Sequence, residues 1–465
     1  MQLPVDFVQS IQTLLGKESE NLLSSIGEET SVSIRLNPFK MQRNSKEFSF
    51  PAEQVSWSQQ GFYLNERPAF TFDPLFHSGY YYVQEASSMF IEYVTRKLVQ
   101  EPVNCLDLCA APGGKSVSLL SALPEGSFLV SNEIIRSRAN ILSENIIKFG
   151  SPNTLVSNNA PKDFANLTNF FDMLLIDAPC SGEGMFRKDP VAIEEWSMSN
   201  VKMCAARQKD ILRDVWSSLK PGGLLIYSTC TYNLEEDEEN ARWISKELGA
   251  EFIEVDTLPE WGISPSLDGT PGCYRFFPHK TKGEGLFVAL LRKSATEECS
   301  GTIQRKKDKK KASPFLKDPE FYGRFLMHAD DIDFLEDRNH IISVPKSHTE
   351  KILLLREYLK AVSFGIEIGE LKGKDFIPAH ALAMSTELNQ GAISIAALSF
   401  EEAIAYLRKD AIKLYDIPKG YVLVTYKNEP LGFVKNLGNR SNNLYPQEWR
   451  IRSGYLPENV FSLLK

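Results

Sequence analysis

Between residues 103 and 293 short apolar runs alternate with longer stretches of helical periodicity. The runs VNCLDL (103–108), FLVSNE (128–133), TLVSNNA (154–160), MLLID (173–177) and LLIYST (224–229) are apolar at consecutive positions, the mark of strands buried on both faces. Residues 136–149 place Ile141, Leu142, Asn145, Ile146 and Phe149 along one predicted helical face. Further helices are predicted from about residue 115 and over 200–219, and GLFVALLRK (285–293) reads as a closing strand. Strand and helix in regular alternation predict an α/β, doubly wound, Rossmann-like sheet. Each run stops at a small-residue turn, and in such sheets ligands lie at the carboxyl ends of the strands.

The flanks follow other patterns. SVSIRLNPFK (31–40) alternates apolar and polar positions, predicting a half-exposed strand that ends at Asn37-Pro38. The aromatic-rich stretch 72–98 carries a polar Gln84-Glu85 pair and reads as a helix from Glu85 onward. QRKKDKKKAS (304–313) is a basic linker, and a second globular region begins near Pro314. GYVLVTYKNEPLGFVKN (420–436) predicts two strands joined by a turn near Lys427-Asn428. Beyond it Arg440, Arg450 and Arg452 interleave with Tyr445 and Trp449, a pattern suited to backbone charge contacts plus base stacking. The expected division is 1–100, an α/β cap; 101–295, the doubly wound domain; 296–313, the linker; 314–385, an intermediate domain; and 386–465, a C-terminal α+β domain.

Composition changes this picture in few places. A chain of 465 residues exceeds what one core accommodates. The net charge of −8 argues against indiscriminate nucleic-acid binding, although a local basic stripe is all that phosphate contact requires. Seven cysteines without a CxxC pair predict neither a disulfide framework nor a zinc site. No apolar run reaches the ~18 residues that span a bilayer, and the start lacks a signal-peptide pattern. These features lead us to expect a cytoplasmic protein with no membrane partner and no metal.

Two chemical features remain. The turn Ala111-Pro112-Gly113-Gly114 opens a helix and so presents backbone N–H groups to a nucleotide-like ligand. It is not a P-loop, because Cys109 stands where that motif needs glycine, and GxGxxG is absent. Glu133 lies twenty residues past Gly113, the spacing of a ribose-binding carboxylate, and Asn158-Asn159 end the third run where an amide can meet an adenine edge. A glycine turn without a phosphate motif points to S-adenosylmethionine. Cys180 and Cys230 each follow a strand, which puts two thiols at one sheet edge; the residues alone do not say which would attack.

Together these motifs resemble the RNA cytosine-C5 methyltransferases, strongly over about residues 31–293. The matching stretches are CAAPGGK (109–115), the acid Glu133, DAPCSGEG (177–184), RKDP (187–190) and STCT (228–231). SIRLN and YYVQEASSM resemble that family's RNA-contacting N-terminal cap, and LVTYKNEPLGFVKN, more weakly, the PUA-like RNA-binding domain of its RsmF-like branch, which acts on small-subunit ribosomal RNA. The resemblance implies a class I methyltransferase fold with S-adenosylmethionine held by Cys109, Ala110, Ala111, Pro112, Gly113, Gly114, Lys115, Glu133, Arg138, Asn159 and Asp177. It implies Cys230 as nucleophile, Cys180 as the thiol that assists proton removal and product release, Asp177 on the cytosine N3/N4 edge, and Lys188 near the nucleotide phosphate. Asn159 departs from the aspartate common at its position. The expected partner is ribosomal RNA or the small ribosomal subunit, met by a monomer. Alternatives are a transfer-RNA cytosine-C5 methyltransferase and an inactive RNA-binding assembly factor, though an inactive copy would be expected to lose a thiol or the glycine turn. A DNA cytosine methyltransferase would have no use for the second thiol.

Overall fold

A computed structural model describes residues 3–41, 48–49, 51–295, 314–316, 319–373, 375–455 and 462–464. The basic stretch 304–313 and Cys299 lie outside the described residues. The central sheet holds β1 (Asn104–Asp107), β2 (Phe128–Asn132), β3 (Thr154–Ser157), β4 (Phe171–Asp177), β5 (Leu219–Thr229), β6 (Cys273–Phe276), β7 (Leu286–Lys293) and β8 (Ala361–Phe364). Its order is β6-β7-β5-β4-β1-β2-β3-β8, with a two-residue strand beyond β6. The pairs β1–β2, β2–β3, β1–β4 and β4–β5 are parallel, whereas β7 and β6 run antiparallel. The doubly wound sheet expected from the patterning is therefore present. Consecutive apolar positions are explained by two-sided burial: Leu106, Val130, Leu174 and Ile176 enter the core on one face, and Cys105, Leu129, Met173 and Leu175 the core on the other.

Four helices flank it: α1 (Gly114–Ala122), α2 (Arg136–Phe149), α3 (Met198–Val215) and α4 (Glu238–Leu248). On α2 the buried positions are Ala139, Leu142, Ile146 and Phe149, whereas Ile141, expected on that face, is half exposed. It stands about 100° around the helix from Leu142, outside the buried stripe.

The flanking regions pack against the catalytic sheet rather than hang from it. β8 comes from beyond the linker and pairs with the edge strand β3, at Ala361–Ser157 and Phe364–Leu155. Nothing in periodicity announces that partner, since a strand's pattern reports burial and not its neighbour. The N-terminal region is a four-stranded antiparallel sheet preceded by two helices. The helix Val5–Leu15 buries Phe7 against Phe186 and Trp196, behind the loop that follows Cys180. In the C-terminal region the expected hairpin Gly420–Tyr426/Glu429–Asn436 turns at Lys427-Asn428, both at positive φ, as a two-residue hairpin requires. Its helix and strands share one core with the N-terminal sheet: Ile34, Leu36 and Tyr81 pack with Tyr406, Val422 and Tyr445. Tyr445 is fully buried and its hydroxyl meets His77 Nδ1 at 3.3 Å, so the aromatic partners expected to stack bases include one that is core. Arg440, Arg450 and Arg452 are exposed.

The junction of the three regions also holds His380, whose ring packs edge-on against Tyr445 and Trp449, with both nitrogens buried and unpartnered among the described residues. Burial, reinforced by the Lys148 charge, holds His380 down to about 3, and His77 likewise. A depressed histidine contributes stability above its unfolded value that is lost as pH falls through the mid-6 range. Each should cost roughly 2 kcal/mol between pH 7 and pH 5. His380→Phe should shrink the loss over that window by about that amount in chemical denaturation; equal losses in variant and parent would show the ring is not shielded.

Candidate active site

The glycine turn joins β1 to α1 and is packed tightly from behind. Gly113 has φ 121°, and a Cβ there would meet Leu142 at 3.3 Å and Asn145 at 3.4 Å; one on Gly114 would meet the Tyr82 ring at 3.3 Å. The backbone at Gly113 is one that side chains rarely adopt, and a Cβ on Gly114 would require the Tyr82 ring to give by a few tenths of an ångström. Three neighbours hold the turn by its carbonyls: Asn145 Nδ2 donates to Pro112 O (2.8 Å), Arg138 Nη2 to Ala111 O (2.9 Å) and Gln84 Nε2 to Gly114 O (3.0 Å). The first N–H groups of α1 have no intrahelical acceptor and lie at the sheet's carboxyl edge. Beneath them Asp107 is fully buried; Oδ2 accepts from Ser116 Oγ at 2.7 Å, and Oδ1 has no partner among the described residues. Burial pushes its carboxyl up to about 7, partly offset by Ser116. A side-chain-free turn, donors at a helix start and an unsatisfied carboxylate oxygen fit an adenosyl amino acid carrying ammonium and carboxylate groups.

The remaining cradle residues gather at the ends of β2 and β3. Glu133 is buried, accepts from Ile135 N (2.9 Å) and pairs with Arg138 Nη1 (3.2 Å). Asn159 already uses its amide within the chain: Nδ2 donates to Asp163 (2.9 Å) and Oδ1 accepts from Lys360 N (2.8 Å). Its oxygen thus ties the cradle to the segment leading into β8. Cys109 and Ala110 stay in the turn's packed base.

The two thiols meet, with Cys180 Sγ 3.1 Å from Cys230 Sγ. This is far longer than the ~2.05 Å of a disulfide, so the two share a hydrogen bond. The hydrogen bond to Cys230, together with burial, pushes the Cys180 thiol well above its ordinary value. Alongside, Lys115 Nζ lies 2.8 Å from Asp177 Oδ2, and Asp177 Oδ1 accepts from Ser228 Oγ at 2.7 Å. Burial pulls the Lys115 ammonium down, but Asp177 and a Cys230 thiolate more than offset this and leave it raised. Lys188 is partly exposed and pairs with the buried Glu284 at 3.3 Å.

Two buried glutamates lock the thiol turns together, each reaching from one turn into the other. Glu183, three residues past Cys180, accepts from Tyr232 N (2.7 Å), Asn233 N (3.1 Å) and Asn233 Nδ2 (3.0 Å), and from Trp196 Nε1 (3.0 Å). Glu236, six past Cys230, accepts from Ser181 N (3.0 Å), Ser181 Oγ, Gln208 Nε2 (2.7 Å) and Asn233 Nδ2 (3.0 Å). Burial pushes both carboxyls up and these bonds pull them back. Acids that follow Asn233 are specific partners of neighbouring elements. Asp237 accepts from Thr229 (2.5 Å) and Thr231 (2.8 Å), and Arg275 pairs with Asp237 (3.1 Å) and Glu238. The Asn233-x-x-Glu236 spacing of a capping box was the available signal for Glu236; Gln84, Asn145 and Glu183 carried none beyond membership of their motifs.

A glutamine at position 236 would turn an amide N–H₂ toward two of these four donors. Glu236→Gln should therefore destabilise the fold by roughly 3 kcal/mol and speed alkylation of Cys180 and Cys230, read by mass spectrometry. Unchanged stability and thiol reactivity would mean the carboxylate holds nothing.

The chain matches known families over most of its length. Residues 97–292 match the family described as 16S rRNA methyltransferase RsmB/F, residues 3–86 the N-terminal domain of 16S rRNA methyltransferase RsmF, and residues 394–451 the methyltransferase RsmF PUA domain. Ribosomal RNA small subunit methyltransferase F of Salmonella heidelberg is 32% identical over 451 residues, 91% of each chain. Its namesake in Pectobacterium atrosepticum is 33% identical over 310 residues, an alignment that spans 63% of each chain. Among solved structures, a methyltransferase homolog from Pyrococcus horikoshii superposes with a TM-score of 0.53 at 25% identity, covering 62% of this chain and 94% of that one. NSun6 from the same organism, solved with SFG, shares the fold at a TM-score of 0.53 and 20% identity, over 63% and 99% of the two chains. With cap, catalytic sheet and PUA domain matched in the same order, the chain belongs to the RsmF family of S-adenosylmethionine-dependent small-subunit ribosomal RNA methyltransferases.

Proposed function

We propose that this protein methylates carbon-5 of a cytidine in 16S ribosomal RNA through a covalent bond between Cys230 and carbon-6, acting as a cytoplasmic monomer. The observation that carries this reading is the 3.1 Å contact between two thiols beside the Lys115–Asp177 pair. Carbon-5 of cytosine is too weak a nucleophile on its own. Addition of a Cys230 thiolate to carbon-6 breaks the ring's conjugation and makes carbon-5 enamine-like. The glycine turn, Glu133 and Arg138 would hold S-adenosylmethionine, which would supply carbon-5 with an electrophilic methyl, its sulfonium–methyl bond breaking to leave the neutral thioether. A base must next remove the carbon-5 proton so that the Cys230–carbon-6 bond can break and conjugation return.

Local electrostatics divide these roles between the thiols. Cys180 is held protonated chiefly by its hydrogen bond to Cys230, and the Lys115 ammonium attracts negative charge on Cys230. In this reading Cys230 is the attacking thiol and Cys180 its hydrogen-bond partner. Once Cys230 is bonded to carbon it no longer carries that charge, and Cys180 can release its proton to solvent and accept the one from carbon-5. Asp177, pinned by Lys115 and Ser228, accepts from the cytosine amino group. Lys188 exchanges Glu284 for the nucleotide phosphate. The target base must be unpaired or extruded to reach the thiols.

Cys230→Ala should reduce methyl transfer at least about 10³-fold, and Cys180→Ala should accumulate a protein–RNA adduct that survives denaturing electrophoresis. Normal turnover by Cys230→Ala would reverse the assignment of the thiols. Bisulfite sequencing of a deletion strain should show one or more 16S cytidines losing modification; a loss confined to transfer RNA would refute the ribosomal substrate.

A further inference from the structure

A cavity of about 460 Å³ lies where the region beyond the linker meets the central sheet, and neither thiol lines it. One wall is α2, a second is β8, and the third is the hairpin formed by strands Ile332–Asp337 and His340–Pro345. Its floor is apolar, built from Ile147, Ile342, Val362 and Phe364. Its rim is basic: Arg136, Arg338, Arg356 and His340.

The charges on this rim are unequally committed. Arg356 pairs with Asp337 at 2.9 Å and lies over the Phe364 ring at 4.3 Å, and His340 bonds Glu367 at 2.8 Å. Both acids of the cavity are thereby used. Arg136 and Arg338 are exposed and have no acidic partner among the described residues, so two cations are left over. Arg338 stands at φ 53° in a two-residue turn with Asn339 at 71°. Both angles are those a two-residue hairpin requires, and the turn carries the exposed Arg338 side chain to the cavity lining.

The cavity also adjoins the cofactor cradle. Arg136 opens the helix whose first turn also supplies Arg138 to Glu133 and Ala111. The segment entering β8 is fastened to the cradle by Lys360 N on Asn159 Oδ1 and by Asn158 N on Lys360 O. An apolar floor under two unpaired guanidinium groups has the chemistry of a nucleotide pocket: sugar or base below, phosphate at the rim.

We propose that this cavity holds one nucleotide of the RNA strand flanking the target cytidine, its phosphate between Arg136 and Arg338. The inference rests on RNA being the substrate. It gives the region beyond the linker a part in recognition and makes the strand contact β8 a way of setting one RNA subsite against the other.

The test uses the full chain and the double variant Arg136→Ala/Arg338→Ala with a fluorescently labelled single-stranded fragment of small-subunit ribosomal RNA. The variant should bind the fragment about tenfold more weakly, and the slope of log affinity against log salt should shallow by about 0.7, one single-strand phosphate contact. S-adenosylmethionine affinity should not change by calorimetry, and methylation should show a raised KM at unaltered kcat. A parent that binds RNA and a variant with the same affinity and salt slope would overturn the pocket while leaving the methyltransferase reading intact. A parent that does not bind RNA would overturn both. Adenosine monophosphate serves as the probe for a free nucleotide: if the parent binds it, the double variant does not, and RNA affinity is the same in both, the cavity is a small-molecule site and the proposal fails.

Discussion

Everything at the reactive centre depends on two turns being held at thiol-contact distance, and the holding is done by exchanged carboxylates. Glu183 belongs to the Cys180 turn and bonds the backbone of the Cys230 turn; Glu236 belongs to the second and bonds the backbone and hydroxyl of the first. Each turn thus supplies the acceptor for amides of the other. A buried carboxylate without donors is costly enough that separating the turns would leave two of them stranded. The geometry of the thiols is thus coupled to the electrostatics of residues that never touch a ligand.

The sheet and its partners make that exchange possible. β4 and β5 are adjacent and parallel, with Asp177 level with Ser228, so the turns that follow emerge side by side. The N-terminal helices cover the back of the first turn through Phe7, Phe186 and Trp196, the last of which also donates to Glu183. Gln84 holds the glycine turn, and Glu85 accepts from Glu284 N at 2.9 Å, near the Lys188 pair. The cap is therefore a wall of the active site as well as a separate sheet. Arg275 completes the frame from β6: fully buried, it joins Asp237, Glu238 and the Tyr232 carbonyl, which fixes the segment after Cys230 to the antiparallel edge.

Where reading by pattern failed, it failed for one kind of residue. Tyr445 interleaves with arginines in the sequence and is buried in the structure, in the irregular segment after the strand Ser441–Asn443, where its ring packs against His380 and Tyr406. The acids after Asn233 have the composition of a helix start, yet Glu236, Asp237 and Glu238 are all buried and paired. Asn159 stands at an adenine-reading position but spends its amide on Asp163 and Lys360. In each case the partner lies far away in sequence or across a turn, and no local pattern encodes it.

The sequence by itself determined the elements and the chemistry. Consecutive apolar runs require two-sided burial, glycines at a tight turn require the absence of Cβ, and two cysteines after two parallel strands place thiols at one sheet edge. Those are properties of residue type and spacing, and they need no knowledge of distant contacts. Only the tertiary structure decided that the thiols touch, that crossed glutamates keep them touching, that the C-terminal domain shares its core with the cap, and that β8 extends the catalytic sheet to enclose a basic cavity. The physical reason is that hydrogen-bond satisfaction and edge-strand pairing are settled between segments hundreds of residues apart, and a linear pattern records the need for a partner but not its address.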